Sequence, residues 1–264
     1  MNYNDQLIWI TGASSGIGEA LAVAFSRRGA RLVLTARRME ELARVRQRCA
    51  DPEKVWIFPL DMNDHDRMQP LADHVIKQLG PVDMLINNAG ITGRGKVKDT
   101  KLEVYKQMMN INFFGTVAMT QALLPNFMEQ NKGSIVVISS VIGKFGTALR
   151  SNYSASKHAL HGFFDALRGE LWKHNIRVVM VIPGYVKTPI TLNGLNPDGS
   201  LMGYMGDGQT NAMPVEVFAE KLIRALDSRK EEILIGGFRE MMGVYLKRFF
   251  PRLLTRVLRK AKLT

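Results

Sequence analysis

The chain has 264 residues, of which 46% are hydrophobic and 23% charged, with both signs present; this balance excludes intrinsic disorder. A chain of this length buries roughly 70–75% of its unfolded surface, so it needs no metal or disulfide staple, and its single cysteine, Cys49, excludes an intrachain disulfide framework. The net charge of +12 is uneven: residues 238–264 hold eight basic side chains against one acid, Glu240, for +7, whereas the other 237 residues carry only +5.

The opening segment MNYNDQLIWITG has no basic stretch ahead of its apolar run, so no secretory signal is expected. No stretch approaches 18 uninterrupted apolar residues, so no transmembrane helix is expected either. Both readings point to a cytoplasmic protein. Seven short apolar, β-branched runs then follow at residues 7–11, 31–36, 54–60, 82–87, 134–139, 177–182 and 232–236, separated by helix-length segments. That rhythm predicts βαβ units and an α/β fold with a mostly parallel seven-stranded sheet, helices covering both faces. One of the helices is expected over 151–174. The alternation describes one domain, residues 1–237. Two regions depart from it: a glycine- and methionine-rich segment within 188–213, read as a substrate lid, and the basic tail 238–264.

Directly after the first run stands TGASSGIG. Gly12 suits a tight turn, and Gly16 and Gly18 let backbone approach a pyrophosphate and a helix pack on the sheet. The uncapped N–H groups of the helix start favour an anion. Gly12, Ser14, Ser15, Gly16, Ile17 and Gly18 are therefore the candidate phosphate cradle. Three glycines alone are a weak signal; their place between a first strand and a helix gives the signal weight.

The Gly-x-x-x-Gly-x-Gly spacing behind Thr11 resembles the short-chain dehydrogenase/reductase family. The family's other marks occur in order: NNAG at Asn87–Gly90, Asn112 in NINFFG, Ser140 thirteen residues before Tyr153, the YSASK pair Tyr153 and Lys157, and Pro183–Gly184 in PGYVKT. The resemblance spans residues 6–236 and implies a single Rossmann-type, doubly wound sheet binding a nicotinamide cofactor. It further implies that Asp61 lies beside the adenine and that Asn88, Ala89 and Gly90 run along the adenosine ribose. Pro183, Gly184, Val186 and Thr188 would hold the nicotinamide carboxamide. Family members usually pair through the helices corresponding to 101–130 and 151–174, which implies a homodimer or a tetramer.

The second strand ends RLVLTARRMEEL, with neutral Ala36 where an acidic residue would select NAD(H), followed by Arg37 and Arg38. An arginine there can grip a 2′-phosphate through charge-assisted bidentate bonds, so NADP(H) is expected. The plainer reading is two solvated arginines at a helix start. The family's second NADP mark, a basic residue before the middle glycine, is absent, since Ser15 occupies that place.

Tyr153 and Lys157 are four residues apart in a predicted helix and so share a face. A free phenol titrates near 10, too high for efficient proton transfer at neutral pH, and an ammonium nearby lowers it. A lone Tyr-x-x-x-Lys is usually a solvated pair; Ser140 and the glycine turn reverse that reading. The resemblance implies that Tyr153 is the acid/base, that Ser140 donates to the substrate oxygen, that Lys157 holds the nicotinamide ribose and that Asn112 supports a water relay to Lys157.

The five histidines lack metal-ligand spacing, so no metal is expected. The lid's Leu192, Leu195, Leu201, Met202, Tyr204 and Met205 outnumber its charges, which predicts an apolar or amphipathic ketone or secondary alcohol as substrate. In the tail, Phe249, Phe250, Leu253, Leu254, Val257 and Leu258 recur at helical spacing after Pro251, a good first helical residue, with Arg252, Arg256, Arg259 and Lys260 largely off that stripe. Such a helix either packs on its own subunit or a mate, or docks on an anionic membrane surface. No nucleic-acid-reading pattern accompanies the basic residues. The main reading is an NADP(H)-dependent oxidoreductase; the alternative is a non-catalytic cofactor-binding scaffold or membrane-surface regulator.

Overall fold

The computed structural model describes residues 2–203 and 212–260. The apolar runs form β1 (Leu7–Thr11), β2 (Arg31–Ala36), β3 (Val55–Pro59), β4 (Met84–Asn87), β5 (Gly133–Ile138), β6 (Ile176–Pro183) and β7 (Glu232–Ile235). They make a parallel sheet in the order β3-β2-β1-β4-β5-β6-β7. The chain therefore builds outward from β1 to one edge, returns to β4 beside β1, and builds to the other edge. Ligands of such sheets bind outside the carboxyl ends of the strands at that reversal.

Alternate strand residues feed two cores. Ile8 and Ile10 of β1 face Leu21 and Phe25 of α1 (Gly16–Ser26), Leu42 of α2 (Met39–Arg48) and Phe218 and Leu222 of α7 (Val215–Asp227). Leu7 and Trp9 face the opposite layer, with Val75 of α3 (Met68–Leu79), Met108 of α4 (Leu102–Met109), Leu123 and Phe127 of α5 (Gly115–Gln130) and Phe164 of α6 (Ser151–Glu170). Each such side chain contributes about 1.5–3 kcal/mol by leaving water. Trp9 is fully buried, and its indole N–H is satisfied by Thr35 Oγ1 at 3.1 Å, on the neighbouring strand.

The stretch 101–130 holds two helices, α4 and α5, joined by a π-helical turn, Asn110–Phe114. Gly115 follows because a Cβ there would press on the Met62 carbonyl. The helix expected over 151–174 stops at Glu170, since buried Leu171 adopts φ −90°, ψ 4° and the chain turns at once into β6. The tail forms two helices, α8 (Phe238–Phe249) and α9 (Pro251–Lys260), separated at Phe250 with φ −135°, ψ 61°; α9 begins at Pro251, as the sequence suggested. Leu254 and Leu258 turn inward onto Val141, Phe145 and Ile182. Phe249, Phe250, Leu253 and Val257 stay exposed. No helix among the described residues is long and apolar enough to cross a membrane.

His161 of α6 is buried, with Nε2 3.0 Å from Ser139 Oγ. Burial first, and then Lys144, pull its pKa down to about 4. An unfolded chain takes up that proton near pH 6.5, whereas the folded one does not until about pH 4, so stability falls as pH drops through this window. His161→Gln removes the titration. Between pH 7 and pH 5 it is expected to lose about 2 kcal/mol less stability than wild type, measured by urea unfolding at both pH values; equal losses refute the assignment.

Candidate active site

The turn after β1 is tied to the end of β4 by a small hydrogen-bond lattice. Thr11 Oγ1 accepts from the backbone N–H of Asn88 at 3.0 Å and of Ala89 at 3.1 Å. The Asn88 amide donates to the carbonyls of Thr11 at 2.9 Å and Gly12 at 3.1 Å. Two glycines make this closeness possible. Gly12 has φ +65°, and a Cβ there would stand 2.7 Å from Ala89 Cα. A Cβ on Gly18 would run into the Gly12 carbonyl and stand 2.6 Å from Asn88 Nδ2. Ser15, the N-cap of α1, makes no side-chain cap bond, so the first-turn N–H groups remain available to an anion. Glu19 in that turn would repel one. Burial opposes its ionisation, but ion pairs with Arg44 at 2.7 Å and with Arg48 hold its pKa below the usual carboxylate range and screen its charge.

This turn forms one end of a cavity of about 1110 Å³. Arg37 and Arg38, exposed just beyond β2, line it beside Ser14 and Ser15. Neither arginine is in an ion pair among the described residues. Asp61 lines the same end, its Oδ1 accepting from Asn63 N at 2.9 Å. Asn88, Ala89 and Gly90 form the floor, and Pro183, Gly184, Val186 and Thr188 one wall.

At the other end, Ser140, Tyr153 and Lys157 meet. Ser140 lies two residues past Ile138 and caps the turn Val141–Gly143, its Oγ accepting from Ile142 N at 3.3 Å. Its hydroxyl also reaches the Tyr153 phenol. Lys157, 4% exposed, donates from Nζ to the Ile138 carbonyl at 2.9 Å and stands 5.8 Å from the Tyr153 ring centre. Burial pulls its pKa down to about 8. Burial also pushes the Tyr153 phenol up, and the groups opposing this are Arg150 first and Ser140 second. Arg150 is thus a second cation near the phenol, beside Lys157, whose ammonium also donates to the Ile138 carbonyl. Arg150 Nη1 donates to Thr92 Oγ1 at 3.0 Å and to the Gly93 carbonyl at 3.3 Å.

Asn112, fully buried in the π-helical turn, stands behind this wall. Its amide exchanges two bonds with the Ile91 backbone, at 2.8 and 2.9 Å, and donates to Ser156 Oγ at 3.0 Å. It clamps the chain leaving β4. Gly90 lets it approach, since a Cβ there would sit 3.1 Å from Asn112 Oδ1 and 3.6 Å from Lys157 Nζ. A phenol, a hydroxyl and a buried amine sharing one wall can pass a proton to or from an oxygen held against them.

The short chain dehydrogenase family profile matches residues 6–196, the stretch that contains the glycine turn, Ser140, Tyr153 and Lys157. The chain belongs to the short-chain dehydrogenase/reductase family. Among its relatives, the dehydrogenase/reductase SDR family member 7B of Xenopus tropicalis is 41% identical over 254 residues, 94% of this chain and 82% of that protein. A dehydrogenase/reductase SDR family protein 7-like of Drosophila melanogaster is 38% identical over 253 residues, 94% and 78% of the two chains. In three dimensions the chain is similar to a short-chain dehydrogenase from Streptomyces avermitilis, with TM-score 0.82, 28% identity and 97% of each chain covered. It also shares the fold of a short-chain dehydrogenase/reductase from Burkholderia phymatum solved with NAD, at TM-score 0.83, 22% identity and 96% of each chain covered.

Of the residues singled out from the short-chain dehydrogenase/reductase motifs, all but Gly18 and Asn112 line the cavity. Those two act from behind it. The lid expectation needs more correction. Leu195 and Met202 are buried, Leu201 is exposed, and Met213 packs on the core beside α7, bridging to Val186. None of them lines the cavity, to which this segment lends Ile190, Thr191 and Asn193. Tyr204, Met205, Gly206, Asp207 and Gly208 lie outside the described residues. The apolar lining at the substrate end comes instead from Ile142 and Phe145 and from Phe238 and Leu258 of the tail. Arg150, Arg44 and these tail residues escaped the sequence reading; helical spacing flagged Leu258 without showing its direction. Among the described residues no group of three His, Cys, Asp or Glu side chains is placed to hold a metal.

Proposed function

We propose that the chain is an NADP(H)-dependent oxidoreductase that reduces an apolar or amphipathic ketone to a secondary alcohol, or runs the reverse reaction. One observation carries this reading: a single cavity joins an uncapped glycine turn flanked by Arg37 and Arg38 to a wall of Ser140, Tyr153 and Lys157. The first end fits a dinucleotide. Its glycines leave space that a Cβ would fill, and its helix start suits a pyrophosphate. The two arginines suit a 2′-phosphate. Bound there, a nicotinamide supplies the hydride that side chains do not provide.

The chain's own residues do the rest. Ser140 donates a hydrogen bond to the substrate oxygen, and Tyr153 gives it a proton during reduction. Arg150 and Ser140 favour the phenolate that remains, and Lys157, buried beside it, adds its charge when protonated and holds the nicotinamide ribose. Ile142, Phe145, Phe238 and Leu258 favour a substrate with apolar bulk beyond its carbonyl. Pairing of two copies through α5 and α6 is supported by Phe114, 47% exposed against Phe113, whose ring in turn meets Phe163 of α6.

NADPH and NADH oxidation measured against a panel of apolar ketones tests the reading. Turnover with NADPH well above NADH supports it. Equal turnover removes the NADP(H) preference, and cofactor binding without turnover favours a non-catalytic scaffold.

A further inference from the structure

The tail is held to the catalytic wall on one side, and among the described residues nothing covers its other side. Gly243 of α8 lies against the Phe145 ring, where a Cβ would stand 2.8 Å from Cζ. Leu254 and Leu258 of α9 pack on Val141, Phe145 and Ile182. Both helices are thereby fixed over the turn that follows Ser140. Outward, Phe238, Met242, Tyr245 and Phe249 recur at helical spacing along α8, and Phe250, Leu253 and Val257 along α9; all seven are exposed, Phe238 by 75%. Apolar side chains gathered this way on a surface mark an interaction site.

The charges around them say what kind. Lys247, Arg248, Arg252, Arg256, Arg259 and Lys260 are exposed, and none is in an ion pair among the described residues. Two copies meeting through this face would oppose like charges, so a second copy fits poorly. An anionic lipid surface matches both features: headgroups meet the cations and the acyl boundary takes the aromatic and aliphatic side chains. At 12 and 10 residues, the helices are far short of the roughly 20 needed to span a bilayer, so they would lie in its plane. The face also continues into the interior. A second cavity of about 290 Å³ between α8, α9 and Phe145 shares Phe145, Phe238, Arg239 and Leu258 with the active-site cavity.

We propose that α8 and α9 form a docking surface for an anionic lipid bilayer, turning the apolar end of the active-site cavity toward the lipid. The docking stands apart from the reaction proposed above, and its test needs no turnover. Full-length protein is sedimented with vesicles of phosphatidylcholine alone, or of phosphatidylcholine containing about one-third phosphatidylserine. Binding to the second and not the first is expected, weakening as salt rises. Losing about five-fold per cation, Arg252→Gln with Arg256→Gln should weaken binding roughly thirty-fold. Phe249→Ser with Phe250→Ser should weaken it at least ten-fold. All four positions are exposed, so an unchanged unfolding midpoint shows that the fold is intact. Absence of binding, equal binding to both vesicles, or binding that survives the substitutions overturns the proposal. So does a dimer in solution that Phe249→Ser with Phe250→Ser dissolves, which would make this face a contact between copies.

Discussion

Tyr153→Phe is expected to lower kcat for ketone reduction by about 10²–10⁴-fold while leaving NADPH affinity within a few-fold, read by steady-state turnover beside cofactor titration. The range is what a positioned proton donor contributes. The substitution removes one hydroxyl and keeps the ring, which packs half-buried against the core under α6, so the fold is preserved. Activity close to wild type would remove the phenol from the chemistry. Arg150 acts on the same proton. Its guanidinium opposes the burial that pushes the phenol up, so Arg150→Met raises the phenol's pKa. Reduction needs the protonated phenol; the high-pH limb at which its rate falls should therefore move to still higher pH. Arg150→Lys keeps the charge and should leave the limb near its wild-type place. A pH profile separates this electrostatic effect from the loss of the bonds to Thr92 and Gly93, which changes the amplitude and not the midpoint.

The second large effect is expected from Arg37→Asp, which should raise KM for NADPH by about 10–100-fold and improve NADH relative to it. Losing a hydrogen bond to a charged group costs about 1.5–3 kcal/mol, and a carboxylate in its place repels a 2′-phosphate while accepting from ribose hydroxyls. Arg37 is exposed at the cavity rim, outside any ion pair among the described residues, so stability should not change. Equal KM shifts for both cofactors would show that Arg37 reads no phosphate. Arg38→Ala separates the neighbouring guanidinium's share.

Much of the site was legible because it is written in contiguous segments. TGASSGIG, NNAG and YSASK each fix a local backbone shape or a one-turn spacing, and the run of apolar residues around each strand predicted its place within one or two residues. What was not legible depends on partners far apart in sequence. Nothing in NNAG states that the Asn88 amide will be taken up by the Thr11 and Gly12 carbonyls, 77 and 76 residues away. The π-helical turn at Asn112 is equally silent, since helical periodicity reads the same through it; the turn matters because it seats the amide against Ile91. The lid misled because its apolar side chains were taken for a pocket lining. Leu195 instead packs into the core, and Met202 is buried against Gly194 of its own segment, its Sδ where a Cβ on Gly194 would press.

By itself, the sequence determined the parallel α/β sheet, the glycine turn after β1, the arginine pair beyond β2 and the Tyr153–Lys157 spacing, since period and short-range geometry suffice for each. Only the tertiary structure decided that Arg150 joins Lys157 near the phenol and that Ser140 faces Tyr153 across the turn after β5. It also decided which side of the amphipathic tail turns inward. Leu254 and Leu258 meet Phe145, and Leu258 lines the active-site cavity, while Phe249, Phe250 and Leu253 remain outside. A helical stripe records that apolar side chains share a face; what that face meets is set by packing between elements more than a hundred residues apart.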